Sequence, residues 1–151
     1  MNVPEAAPPL RVLFVCTANI CRSAYAEQLA RHLLDQSVGR DGGADDTAND
    51  SVAFTSAGTH GWTDHPVEAA MATELSRRGV SADGFASRPM TMRMVDEADL
   101  VLTAARSHRQ FILDDRPAAV WRTFTVGQFA RIVDELPEEL TGRELIAGCR
   151  R

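Results

Sequence analysis

Short apolar runs alternate with stretches in which apolar residues recur every three or four positions, and this alternation extends along most of the chain. Arg11–Cys16 holds the run Val12-Leu13-Phe14-Val15 and predicts a first strand, near-continuously apolar as a central parallel strand is. Ser23–Gln36 carries Tyr25, Leu29, His32 and Leu33 on one face and predicts a helix. The Gly/Asp-rich segment from Gly39 to Asp46 predicts a mobile loop. Val52–Ser56 predicts a second strand, and Pro66–Arg78 a helix stopped by Gly79. Pro89–Ala98 predicts a shorter helix and Asp99–Thr103 a third strand. Ser107–Leu113 predicts a helix with Ser107 as N-cap, and Val120–Thr125 a fourth strand. Gly127–Asp134 and Glu138–Ala147 predict the last helices, separated by Pro137.

Strands alternating with helices imply an α/β domain, a parallel sheet with helices on both faces. Right-handed crossovers then place the turn after the first strand at the sheet's carboxyl edge, near a switch in strand order, where ligands bind in such sheets. The 151 residues suit a single domain. Residues 1–10 are Pro/Ala-rich, with neither a basic region nor a long apolar core. They predict a short disordered lead-in rather than a secretory signal, which leaves 11–151 as the domain. No apolar run approaches the length of a bilayer span, so no membrane partner is expected. A net charge of −5 argues against a nucleic-acid surface, although all 16 basic residues are arginine. The three cysteines, Cys16, Cys21 and Cys149, are too few for a disulfide scaffold and lack zinc spacing. A reducing, cytoplasmic home is the expectation, with Cys149 a free thiol without a role.

The chemistry concentrates in Cys16-Thr17-Ala18-Asn19-Ile20-Cys21-Arg22-Ser23, between the first strand and first helix. A cysteine, five residues, then Arg-Ser at a strand-to-helix turn is the layout of a phosphate-cradling loop. Its backbone N–H groups can point at an oxyanion, and the helix N-terminus adds partial positive charge. Arg22 can grip two phosphoryl oxygens in a planar fork. A helix N-terminus and a nearby arginine lower a thiol's pKa, which predicts Cys16 as a thiolate nucleophile. Ser23 can donate its hydroxyl to the sulfur, and Asn19 can hold the loop by bonding neighbouring backbone.

With that loop as its opening, the chain resembles the low-molecular-weight protein tyrosine phosphatases. The likeness extends through Ala26-Glu27, Ser56-Ala57-Gly58-Thr59, Asp99–Thr103 and Arg106-Ser107-His108, from about Arg11 to about Phe129. The resemblance implies a four-stranded parallel sheet of order 2-1-3-4, with the phosphate loop after the first strand. It implies that Cys16 attacks phosphorus to form a phosphocysteine. Arg22 and the backbone of Thr17, Ala18, Asn19, Ile20 and Cys21 would bind the phosphoryl oxygens. Asn19, Ser23 and Ser56 match the family's loop-supporting network, and Trp62 an aromatic position that walls the cleft. The residues alone leave Trp62 equally readable as a packed loop aromatic, and Ser56 as a strand-end residue bonding its own backbone. Cys21 matches a position that can form a reversible disulfide with the nucleophile, and otherwise reads as a small hydrophobe facing the core. No metal or cofactor is implied. The implied partner is a phosphotyrosine protein or a small aryl phosphate, and nothing indicates an oligomeric state.

The family's general acid is the Asp of an Asp-Pro motif, and this chain has no Asp-Pro. Asp134 lies at a similar distance after the nucleophile but also reads as the end of an amphipathic helix; Glu138 and Glu139 are weaker candidates. An acid beyond Arg151, slow catalysis without one, and an unfamiliar carboxylate are the open alternatives. Ala18 stands where a glycine is common, and fits only if its backbone avoids glycine-only conformations. Ala24 replaces a proline and Ala104-Ala105 a Met-acid pair. Two other functions fit the cradle. An arsenate reductase would use an internal or external resolving thiol, and residues 80–110 hold no cysteine. A non-catalytic phosphate- or phosphotyrosine-binding module would tolerate Cys16→Ser.

Overall fold

The structure, a computed structural model, describes residues 8–40 and 52–150. The elements run β1 (Leu10–Cys16), α1 (Arg22–Arg40), β2 (Val52–Gly58), α2 (Ala69–Arg77), α3 (Met92–Glu97), β3 (Leu100–Thr103), α4 (Arg106–Asp115), β4 (Thr123–Thr125), α5 (Val126–Asp134) and α6 (Gly142–Gly148). The four strands form one parallel sheet in the order β2-β1-β3-β4. This is the expected architecture. The Gly/Asp-rich loop expected from Gly39 falls largely outside the described residues, as do residues 1–7.

β1 is the central strand, and its alternation divides the core. Leu10, Val12 and Phe14 face one side, where Ala26 and Ala30 of α1, Phe129, Ile132 and Val133 of α5, and Ile146 of α6 cover them. Leu13 and Val15 face the other, against Val95 of α3 and Ile112 of α4. The opposed placement of α1 and α3 follows from topology. The chain moves from β1 outward to β2, then back past β1 to β3. Crossovers of one hand made in opposite directions put their helices on opposite faces. The switch point is the carboxyl end of β1, where Cys16 sits.

Several elements depart from the sequence expectation. The helix expected from Pro66 begins at Ala69, because the Glu68 carboxylate caps it by accepting from the N–H groups of Ala70 and Met71. The helix expected from Pro89 begins at Met92, capped by the Thr91 hydroxyl. Ser107 is not the cap of α4. That helix starts at Arg106 with Ala105 as N-cap, and His108 Nδ1 accepts the Ala105 N–H. Residues 117–122, half of which were expected as strand, form a 3₁₀ helix that buries Ala119 and exposes Trp121, which shortens β4 to three residues. The last helix starts at Gly142 rather than Glu138. Cys149 is a buried core residue beside Leu10 and Ile146.

Candidate active site

Residues 17–21 leave the end of β1 as a tight loop and enter α1 at Arg22. The loop's carbonyls are drawn outward. Those of Cys16, Thr17 and Ala18 accept from the N–H groups of Thr59, His60 and Trp62, at 2.9, 2.9 and 3.0 Å. The Ile20 carbonyl accepts from Glu68 N–H at 2.8 Å. The segment after β2 thus wraps the loop from outside. Among the described residues, no protein group accepts from the N–H groups of Thr17 to Cys21. An oxyanion ringed by those amides would complete their hydrogen bonding.

This wrapping needs close approach. A Cβ at Gly58 would clash with the Thr17 carbonyl and lie 2.8 Å from Gly61 Cα, which explains the glycine in Ser56-Ala57-Gly58-Thr59. Asn19 takes the left-handed conformation, φ 62°, that asparagine tolerates better than most residues. Ala18 has a negative φ, so its methyl group fits without backbone strain.

Asn19 is fully buried and organises the site. Its Oδ1 accepts from Arg88 N–H at 3.0 Å, which fixes the amide's orientation. Its Nδ2 donates to Ser23 Oγ and to Ser56 Oγ, each at 2.9 Å. Ser56 Oγ in turn donates to Glu27 Oε1 at 3.1 Å. Ser23 Oγ, which accepts from Asn19, lies 2.9 Å from Cys16 Sγ, and with the sulfur ionised the hydroxyl is the donor of that pair. The donors branch at Asn19, one arm reaching Ser23 beside the sulfur and the other running through Ser56 to Glu27. Burial pushes the Glu27 carboxyl pKa up, opposed by Arg31 and by the Ser56 bond.

His108 reaches the loop from α4. Since its Nδ1 accepts the Ala105 N–H, Nε2 carries the proton and donates to Thr17 Oγ1 at 2.9 Å. Burial, and then the charge of Arg22, lower its pKa below the ordinary value near 6.5. The fold therefore prefers neutral His108. Its contribution is complete above about pH 6.5 and is lost as pH falls through the lowered value. The thermal midpoint of His108→Gln should drop less than that of the parent between pH 7.5 and pH 5, measured by circular dichroism. Identical drops would remove His108 as a source of acid sensitivity.

The other expected site residues are placed as follows. Arg22 is exposed at the start of α1. Trp62 is 51% exposed beside the loop, edge-on to His65 with ring centroids 5.0 Å apart. Cys21 is half-buried and unpaired; burial, then Glu68, raise its thiol pKa. Three contributors were not assigned roles from sequence. Glu27 and His108 lie within the resembling segments but carry no spacing signal, and Arg88 lies 69 positions from the amide it serves.

The acid candidates lie elsewhere. α5 leaves β4 level with the end of β1 and runs back along the sheet, so Asp134, nine residues on, lies roughly 13 Å toward the amino edge. Arg143 of α6 meets Asp99, just before β3, and the Pro8 carbonyl, just before β1. Glu138 and Glu139 sit in the turn between these two helices. All three carboxylates are at the opposite end of the sheet from Cys16, so none is placed to protonate a leaving group there.

Residues 11–138 match the family described as low molecular weight phosphotyrosine protein phosphatase. The chain belongs to that family. It is 33% identical over 118 residues to the low molecular weight protein-tyrosine-phosphatase Etp of Escherichia coli K12, covering 78% of this chain and 70% of the relative. It is 28% identical over 118 residues to a protein-arginine-phosphatase of Bacillus subtilis, covering 78% and 71%. Among solved structures, YfkJ of Bacillus subtilis superposes with a TM-score of 0.71 at 21% identity, over 96% of this chain and 92% of that one. The family's members are cysteine-dependent phosphatases, and this chain is accordingly a phosphatase with Cys16 at the head of its phosphate loop.

Proposed function

We propose that this phosphatase hydrolyses phosphotyrosine on proteins through a phosphocysteine on Cys16. The supporting observation is the buried sulfur 2.9 Å from the Ser23 hydroxyl, inside a loop whose Thr17, Ala18 and Ile20 carbonyls are engaged from outside. Cys16 Sγ attacks phosphorus as the P–O bond to the aryl group breaks. The loop amides and Arg22 hold the equatorial oxygens, where charge accumulates. The aryl oxygen leaves with its electron pair and takes a proton. Water then attacks phosphorus, releasing inorganic phosphate and the thiolate, which the Ser23 hydroxyl stabilises. The rim suits an aromatic leaving group: Trp62 is exposed, and His60 pairs with the exposed Phe111 at 5.8 Å. A nucleophilic thiol of this kind works in a reducing, cytoplasmic setting; among the described residues no helix is long and apolar enough to cross a membrane.

Mass spectrometry after acid quench of the enzyme turning over para-nitrophenyl phosphate tests the intermediate. One phosphoryl group should appear on the peptide containing Cys16. Phosphate released without any phosphorylated Cys16 peptide would overturn the mechanism. Because one relative is an arginine phosphatase, matched phosphotyrosine and phosphoarginine peptides test the substrate. Faster release from phosphoarginine would overturn the aryl assignment.

A further inference from the structure

α4 and α5 cover opposite faces of the sheet, and both begin at its carboxyl edge beside the outermost strand, β4. Between their first turns lies a cavity of about 330 Å³ lined by Arg106, Arg109, Gln110, Thr125, Gln128 and Arg131. Three arginines and no acid line it, on a chain with a net charge of −5. None of the three forms an ion pair among the described residues, although Arg11, Arg31, Arg77, Arg93, Arg116 and Arg143 all do. Arg109 is anchored by its Nε on the Thr123 carbonyl at 2.9 Å. Gln110 turns its amide to Asp114, one helical turn further along α4. Thr125 caps α5 by accepting Gln128 N–H at 3.0 Å, so the positive end of that helix also faces the cavity.

We propose that this cavity binds a second anionic group, carboxylate or phosphate, of the same substrate polypeptide whose phosphotyrosine enters the loop. The proposal rests on the phosphatase reading above. Register fixes the separation: Val15 pairs with Thr103, and Thr103 with Thr125. Two strand spacings place Thr125 roughly 10 Å from Val15, and the arginine side chains extend somewhat beyond. An extended peptide covers that distance in roughly three to five residues. The planar guanidinium forks of Arg106 and Arg131 suit either oxyanion, bidentately.

The test compares phosphotyrosine peptides carrying Glu, Gln or phosphoserine three, four or five residues from the phosphotyrosine, on either side, with para-nitrophenyl phosphate as the small-substrate control. The parent should favour the best-placed Glu peptide over its Gln counterpart by roughly 5- to 10-fold in kcat/KM, through KM, and the preference should fade with added salt. The phosphoserine arm shows whether phosphate serves as well as carboxylate; preference for either over Gln supports the site. Arg106→Ala/Arg131→Ala should lose the preference yet keep its rate on para-nitrophenyl phosphate, and Arg131→Gln alone should reduce the preference. A parent indifferent to Glu and phosphoserine, or a double variant that keeps its preference, would overturn the proposal. So would equal losses on the small substrate. A parent inert toward every substrate, para-nitrophenyl phosphate included, removes the phosphatase reading itself and this site with it.

Discussion

Cys16→Ser is expected to lower turnover of para-nitrophenyl phosphate by at least about 10⁴-fold, the scale seen when a catalytic nucleophile is removed. Affinity for inorganic phosphate should survive. The two outcomes separate because different parts of the loop carry them. Attack on phosphorus needs the sulfur, which the Ser23 hydroxyl reaches at 2.9 Å. A serine hydroxyl at the same place is far less acidic, and nothing in the Asn19–Ser23 chain would remove its proton: an amide and a neutral hydroxyl are not bases. Oxyanion binding instead uses Arg22 and the N–H groups of residues 17–21, whose orientation depends on the carbonyl bonds to Thr59, His60, Trp62 and Glu68. The substitution leaves those bonds in place. Steady-state assay and phosphate titration check the pair of results. Retained turnover in Cys16→Ser would show that another nucleophile operates. Lost phosphate affinity would show that the sulfur also holds the loop open.

The parts of this site legible in the sequence are those fixed by local chain geometry. The run Val12–Val15 suits a central strand, and the structure buries it on both faces. With alternating helices after it, topology put Cys16 at the carboxyl edge near a switch in strand order, and the order 2-1-3-4 implied by the family resemblance put that switch between β1 and β3. What escaped depended on tertiary partners. Ser107 has the chemistry of an N-cap, but His108 caps α4 from inside the helix, because that position also brings its ring to Thr17. Val120 and Trp121 look like strand residues, yet only Ala119 of that segment packs inward, and pairing with β3 starts at Thr123. Arg88 serves the site with its backbone N–H on Asn19 and its Nε on the Ser56 carbonyl, partners 69 and 32 positions away, so no local spacing marked it. Asp134 was open for a related reason. Distance along the sequence from Cys16 suited a catalytic acid, while distance in space depends on which way α5 runs from β4.

The position of Asp134 leads to the second large effect. Without a donor, the aryl oxygen departs as phenolate, and general acid catalysis is typically worth about 10²- to 10⁴-fold. Of the acid candidates read from the sequence, Asp134, Glu138 and Glu139 lie toward the amino edge, and Glu68, nearer the loop, caps α2 through Oε2. The expected result is a steep dependence on leaving-group pKa. para-Nitrophenyl phosphate should turn over roughly 10²-fold or more faster than phenyl phosphate, measured as kcat/KM across a series of substituted aryl phosphates. Asp134→Asn and Glu138→Gln should leave every point of that series within about twofold of the parent. The two arms probe different atoms. A flat series means that some group protonates the phenolate oxygen during attack. A steep series that is unchanged in both variants places the burden of the first step on Cys16, Arg22 and the loop amides. A flat parental series that turns steep only in Asp134→Asn would mean that the end of α5 reaches the loop, contrary to the geometry described above.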